Sequence, residues 1–284
     1  MVILVTGANG QLGQALQSIT SHNTEFQFQF CGSQEADLTN KASLQLAFKN
    51  YNPTFCINAA AYTAVDKAES EPEKAYVINA DGVRNLAEVC LEYQTTLLHV
   101  STDFVFDGLN KTPYVETDIP HPTGVYGASK WAGEIAVQEI LTRYYIVRTA
   151  WVYSNFGANF MKTMLRLGAE RDQLKVVDDQ IGSPTLATDL AKTLVTMCQL
   201  TAQDFESAPY GIYHYSNEGS CSWCEFAQQI LLNHGLKTPV LPIPTAEFPT
   251  PAQRPAYSVL DKSKIKKAFA LEIPRWQDAL KSGM

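Results

Sequence analysis

The chain has 284 residues, 45% apolar and 18% charged, with a formal net charge of −7. It is long enough to bury a substantial core in one or two domains, and its acidic balance, without a basic stripe, excludes a polyanion-binding surface. No run approaches the roughly 18 to 20 apolar residues of a membrane helix, and the opening MVILVTG lacks the regions of a secretory signal. No nucleic-acid or membrane partner and a cytoplasmic address are therefore expected.

A β-branched run at 2–6 (VILVT) ends at Gly7, and helical periodicity follows over 12–19: strand, turn, helix. A second strand is expected at 26–31, then Asp37-Leu38 and a helix over KASLQLAFKNY. A third strand at 55–58 leads through a long polar loop to a helix over 73–93. A fourth strand at 95–100 enters STDFVFDG, a helix carries Tyr126, and a fifth strand covers 144–148. This alternation implies a parallel sheet covered on both faces by right-handed crossovers, an α/β fold of the Rossmann-type doubly wound kind. Ligands of such sheets bind beyond the carboxyl ends of the strands, where Gly7, Asn58, Ser101 and Thr149 fall.

After about residue 150 the rhythm loosens: 157–170 and 184–198 are helical in pattern, 211–216 is extended, and 238–257 is Pro-rich and irregular. Residues 1–150 are expected to bind a dinucleotide, and 151–284 to form mainly a smaller mixed α/β substrate lobe, with segments free to interleave.

TGANGQLG at 6–13 puts Gly7, Gly10 and Gly13 between the first strand and the first helix. Gly7 permits a tight turn, Gly10 lets backbone approach a pyrophosphate, and Gly13 lets helix pack on strand. Free amides and the helix dipole then attract the anion, so Gln11 and Leu12 join the candidate cofactor contacts. Ser33 and Gln34, after the second strand, are neutral and leave NAD and NADP both open. Tyr126 and Lys130 share a helix face at i and i+4, which suits either a proton-donating pair or a solvated surface pair.

The glycine spacing, the Tyr-x-x-x-Lys of Tyr126 and Lys130, and Ser101-Thr102 after the fourth strand together resemble the extended branch of the short-chain dehydrogenase/reductase superfamily. That resemblance implies a nicotinamide cofactor, with Lys130 favouring the Tyr126 phenolate, Tyr126 as proton donor and Thr102 bonded to the reacting oxygen. It also implies cofactor contacts at Asp37 and Leu38, and at Ala60, Ala61 and Tyr62. Asp37 equally suits a turn. Dehydratases of the branch carry an acidic pair after the threonine; Asp103-Phe104 here offers one carboxylate, which favours ketone reduction.

NAAAYTAVDKAESEPEKAYVIN, STDFVFDG, RTAWVY, NFMKTMLRL, DDQIGSPT and RPAYSVLDKSK resemble the dTDP-4-dehydrorhamnose reductases, from Val2 to about Trp276. The resemblance implies reduction of a dTDP-linked 4-keto-6-deoxy sugar with NADPH, NADH being possible. Thr102, Asp103 and Trp151 would meet the sugar, and Val65, Lys67 and Arg254 the sugar or diphosphate. Trp151 equally reads as core, Lys67 and Arg254 as solvated charge, and Asp66 with Lys67 as a simple pair.

Some relatives dimerise around magnesium held by acidic residues. Ala15 stands at one such position and Asp189 is alone at the other, so no metal is expected, and the assembly is a monomer or a metal-free homodimer. Two rivals remain open: another sugar-nucleotide reductase or epimerase of the branch, and a silent nucleotide-binding subunit like the regulatory partners of methionine adenosyltransferase. CSWC at 221–224 has redox or metal spacing, but Ser222 three residues before Glu225 reads better as a capping box. Cys31, Cys56, Cys90, Cys198, Cys221 and Cys224 are scattered along the chain, and no disulfide is expected.

Overall fold

The computed structural model describes residues 1–20 and 25–283. In chain order the first part runs β1 (Val2–Thr6), α1 (Gln11–Thr20), β2 (Gln27–Cys31), α2 (Lys41–Tyr51), β3 (Phe55–Asn58), α3 (Val65–Ala68), α4 (Pro72–Tyr76), α5 (Gly82–Glu92), β4 (Thr96–Thr102), α6 (Val125–Ile140) and β5 (Tyr144–Thr149). β6 (Val152–Tyr153), α7 (Phe160–Glu170), β7 (Leu174–Val177), β8 (Ile181–Gly182), β9 (Thr185–Leu186), α8 (Ala187–Gln203) and β10 (Gly211–Tyr215) follow. β11 (Cys221–Ser222), α9 (Trp223–Asn233), β12 (Val240–Ile243), α10 (Ser263–Phe269) and α11 (Trp276–Ser282) complete the chain.

Six strands pair in the order β10-β5-β4-β3-β1-β2, every pair parallel. The alternation of side chains decides why both faces must be covered. Ile3, Val5, Ile57 and Val147 point into one core, which α1 and α8 close; Leu4, Cys56, Leu97 and Ile146 point into the other, which α2, α5 and α6 close. The order reverses between β1 and β3, which opens a crevice beyond their carboxyl ends.

The chain passes between the two lobes repeatedly. After β5 the chain builds part of the second lobe, returns to lay α8 against α1 and β10 beside β5, then leaves again. The second lobe has its own core, in which Tyr153, Met161, Phe226 and Trp276 pack between α7, α9 and α11. The Pro-rich stretch also contains β12, a strand parallel to β7, so it is more regular than its composition suggests.

Two other elements differ from the sequence reading. The helix expected over 73–93 is interrupted by a π-turn at Val77–Asp81, between α4 and α5. β4 extends through Thr102, because Ser101 and Thr102 still pair with Arg148 and Thr149 of β5. All six cysteines are buried free thiols. Ser222 and Glu225 form both bonds of the capping box at the start of α9, as the spacing predicts.

Candidate active site

The glycine turn is shaped by close approach. Gly7 has φ of +70°, and a Cβ there would lie 2.6 Å from the Ala60 nitrogen. A Cβ on Gly13 would lie 2.4 Å from the Gly7 carbonyl oxygen, so only glycine lets α1 start against the turn. Gly10 is exposed at the tip, donates to the Gly7 carbonyl at 3.0 Å, and leaves an open cradle at the N-terminus of α1. This cradle fits a dinucleotide pyrophosphate, which the first-turn amides of Gln11, Leu12 and Gly13 would meet. The Gln11 side chain faces elsewhere: its Oε1 accepts from Ser154 at 3.0 Å and from Asn159 at 2.9 Å, tying α1 to the N-cap of α7.

Asp37 and Leu38 are engaged within the protein. The Asp37 carboxylate accepts from the Thr39 amide at 2.9 Å and hydroxyl at 2.8 Å, and Leu38 lies in the core. The 60–62 segment is set by a residue that sequence reasoning missed. Asn79, fully buried in the π-turn, accepts from Tyr62 N at 2.9 Å and donates to Tyr62 O and to Ser129 Oγ, both at 3.1 Å. One side chain thus clamps the loop after β3 to α6. The sequence carries no signal of it, because the pattern over 73–93 reads as one continuous helix and the π-turn appears only in the fold.

α6 carries the reactive face. Glu69 caps its first turn, accepting from Val125 N at 2.9 Å, and a Cβ on Gly127 would fall 2.1 Å from the Phe104 carbonyl oxygen, so the helix packs on the backbone beyond β4. Tyr126 lies edge-on to Phe104, with ring centroids 5.5 Å apart. Burial pushes the phenol up to about 12; contact with the Thr102 hydroxyl pulls it down and the charge of Asp103 raises it. Lys130 is buried, donates to Val100 O at 2.8 Å and lies 3.5 Å from His99 Nε2; burial lowers it to about 8, and Glu134 opposes that shift. Burial dominates at the phenol, and the Lys130 ammonium, one helical turn on, is bonded to Val100 of β4.

Asp103 is 2% exposed and pushed up to about 6 by burial, against the nearby Ser258 hydroxyl and the bond from Thr102. Its Oδ1 accepts from Thr102 Oγ1 at 3.1 Å, while Oδ2 has no partner. A buried carboxyl oxygen without a partner, beside Thr102 and Tyr126, is the group a polar ligand would satisfy.

Trp151 follows β5 with φ of +48°, a strained value for a bulky residue. It is half-buried, its indole stacks on Trp223 at 3.5 Å, and a Cβ on Gly182 would meet its ring at 2.5 Å. Trp223 belongs to the CSWC motif; it and Phe160 line a largely apolar cavity of about 450 Å³. Arg171, Lys175 and Arg254 also reach this cavity, and of these only Arg254 was singled out from sequence. Arg254 forms two bonds to the Asp66 carboxylate, 2.9 and 2.8 Å, which hold Asp66 below its usual range. Asp66 therefore pairs with Arg254 and not with Lys67, which is exposed; Val65 opens α3 beside them.

The fold has known company. A UDP-glucose 4-epimerase of Thermotoga maritima, 17% identical, superposes with a TM-score of 0.81 over 100% of this chain and 97% of its own. With the cradle and the Tyr126 helix in place, the chain is a Rossmann-type enzyme of the extended short-chain dehydrogenase/reductase class. The dTDP-4-dehydrorhamnose reductase of Aggregatibacter actinomycetemcomitans is 43% identical, over 99% of this chain and 97% of its own. The crystal structure of the dTDP-4-dehydrorhamnose reductase of Bacillus anthracis, in complex with NADP, is 42% identical with a TM-score of 0.93, over 99% of this chain and 98% of its own. Residues 1–284 match the family described as RmlD substrate binding domain. The chain belongs to the dTDP-4-dehydrorhamnose reductase family.

Proposed function

We propose that the protein reduces the C4 ketone of dTDP-4-dehydro-L-rhamnose to dTDP-L-rhamnose with NADPH, NADH being the alternative donor. The observation that carries this reading is the convergence of Thr102, the partnerless oxygen of Asp103 and the Tyr126 phenol, in a chain whose β1–α1 turn forms a glycine cradle. It is supported by the family and by the NADP-bound relative.

When bound, the nicotinamide supplies a hydride to the carbonyl carbon. Thr102 turns its hydroxyl proton from Asp103 to the carbonyl oxygen as charge develops there, and Tyr126 gives that oxygen its phenolic proton. Lys130 neutralises the phenolate left behind. Asp103 accepts from a sugar hydroxyl through its partnerless oxygen. Trp151 packs on the sugar, while Arg254, Lys67 and the segment at Val65 address the diphosphate. Residues 1–150 with α8 and β10 hold the dinucleotide; the second lobe and its cavity hold the rest of the substrate.

A monomer or metal-free homodimer fits Ala15, which is wholly buried, and Asp189, which is bonded to Asn217 at 3.0 Å and lies 3.6 Å from Lys192. A cytoplasmic site of action fits the six free thiols. Among the described residues, no helix is long and apolar enough to cross a membrane.

The test is spectrophotometric. Protein, NADPH or NADH, and enzymatically generated dTDP-4-keto-6-deoxy sugar are mixed and cofactor absorbance is followed. Tyr126→Phe is expected to lower kcat by about 10²- to 10⁴-fold. Equal rates would remove Tyr126 as donor. Turnover with UDP-linked sugars alone would move the enzyme elsewhere in the branch, and no oxidation with any 4-keto sugar would favour the binding subunit.

A further inference from the structure

His99 lies wholly buried on β4, and its tautomer can be assigned from its neighbours. Asn58 Oδ1 receives two donors, Thr6 Oγ1 at 2.7 Å and the Ala60 amide at 3.2 Å. The Asn58 amide nitrogen therefore faces His99 Nδ1, at 2.9 Å, and must donate to it. A neutral imidazole that accepts at Nδ1 carries its proton on Nε2, and Nε2 lies 3.5 Å from Lys130 Nζ. His99 is neutral, since burial and then Lys130 hold it well below the usual histidine range. An N–H thus points at an ammonium, while the neutral amine would accept it.

The other buried histidine follows the opposite rule. His214 Nδ1 lies 3.1 Å from the Tyr114 carbonyl oxygen and must carry the proton, so its Nε2 lone pair faces Arg148 Nη1 at 3.5 Å. One histidine offers a cation a lone pair; the other offers a cation a proton.

We propose that His99 is a positioning residue for the reduction: locked in its Nε2–H tautomer by Asn58 and the Ala60 amide, it favours the neutral form of Lys130 and sets the alkaline limit of turnover by Tyr126. The inference rests on the reductase reading of Tyr126 and Lys130. The other ionisable groups around α6 are accounted for. Glu134, one turn on, is neutralised by Arg148 of β5; Asp103 faces Tyr126; Glu69 caps the first turn; and Arg84 of α5 pairs with Glu139 at the surface.

The decisive measurement needs no turnover. In full-length protein labelled with 15N-histidine, each of the five imidazoles reports its tautomer by nitrogen NMR, with His99 assigned by its loss in His99→Gln. Between pH 6 and 9 His99 is expected to show a bare Nδ1 and a protonated Nε2, shifting as Lys130 titrates near about 8, with His214 showing the reverse tautomer. A proton on His99 Nδ1, or an imidazolium, overturns the proposal. The kinetic arm is Asn58→Asp, whose carboxylate accepts Nδ1–H and turns the Nε2 lone pair to Lys130. The alkaline limb of kcat/KM is expected to move up by about one pH unit or more. A switched tautomer with an unmoved limb overturns the proposed role. Absence of turnover in the wild type would refute the reductase reading while leaving the NMR result to stand or fall by itself.

Discussion

Two buried polar networks meet α6, and they are closed to different degrees. In the first, the Glu134 carboxylate receives Arg148 Nε at 3.0 Å, Arg148 Nη2 at 2.7 Å and Ser101 Oγ at 2.5 Å, and Arg148 meets a lone pair of His214. In the second, Thr6, Asn58, His99 and Lys130 pass hydrogen bonds across β1, β3, β4 and α6, and the chain ends with two donors facing each other. A closed network holds a helix. A network left one acceptor short keeps a proton affinity within reach of working pH, and here it ends at the lysine beside the proposed proton donor.

The closed network carries the largest expected effect. Glu134→Ala leaves Arg148 charged and buried without a countercharge, which costs about 3–5 kcal/mol, a large share of the roughly 5–15 kcal/mol available to a domain. Urea denaturation reads it. The double variant Glu134→Leu/Arg148→Met, which removes both charges, is expected to recover most of that loss. A single-variant cost below about 1 kcal/mol would erase the contrast between the networks.

Asp103 gives the next effect, because it too is incompletely bonded. Its folded value is raised from 3.8 to about 6, so the folded state binds more protons than the unfolded chain between those limits. The protonated carboxyl stabilises the fold fully below about pH 4, and that contribution disappears as pH rises through about 6. The displacement corresponds to about 3 kcal/mol. Asp103→Asn should flatten this part of the stability profile, so wild type loses ground to the variant between pH 4 and 7. Parallel profiles would mean that the carboxyl is better solvated than its burial implies.

Much of this was legible in the chain because it depends on local pattern. VILVT, FCIN and YYIVR read as buried parallel strands since both faces are apolar, and TGANGQLG reads as a cradle since glycine spacing and position agree. Asn79 was not legible: its role depends on a π-turn that brings it to Tyr62, 17 residues away, and to Ser129, 50 residues away. Trp223 was read only as the neighbour of a capping serine, because its stacking on Trp151 is fixed by tertiary contact. His99 was read as part of a strand, and nothing in HVST reveals that a backbone amide of another loop sets its tautomer. Asp66 shows the same limit: its partner lies 188 residues on, at Arg254.

That pair carries the smallest effect on stability and a directional effect on function. The side chains of Arg254 and Asp66 are 24% and 41% exposed, so Asp66→Asn should cost less than about 1 kcal/mol in the fold. The consequence for substrate is different in kind, since Arg254 reaches the cavity while both of its bonds to Asp66 are made. A diphosphate that engages this guanidinium must compete with the carboxylate. Weakening the competitor lowers KM for the sugar nucleotide, and Arg254→Ala raises it, with kcat changed little in both because neither group touches the reacting carbonyl. The two shifts should be severalfold and opposite in sign. Equal rises in KM would show that Asp66 orients Arg254 for the diphosphate, and unchanged KM in both would place the phosphates elsewhere.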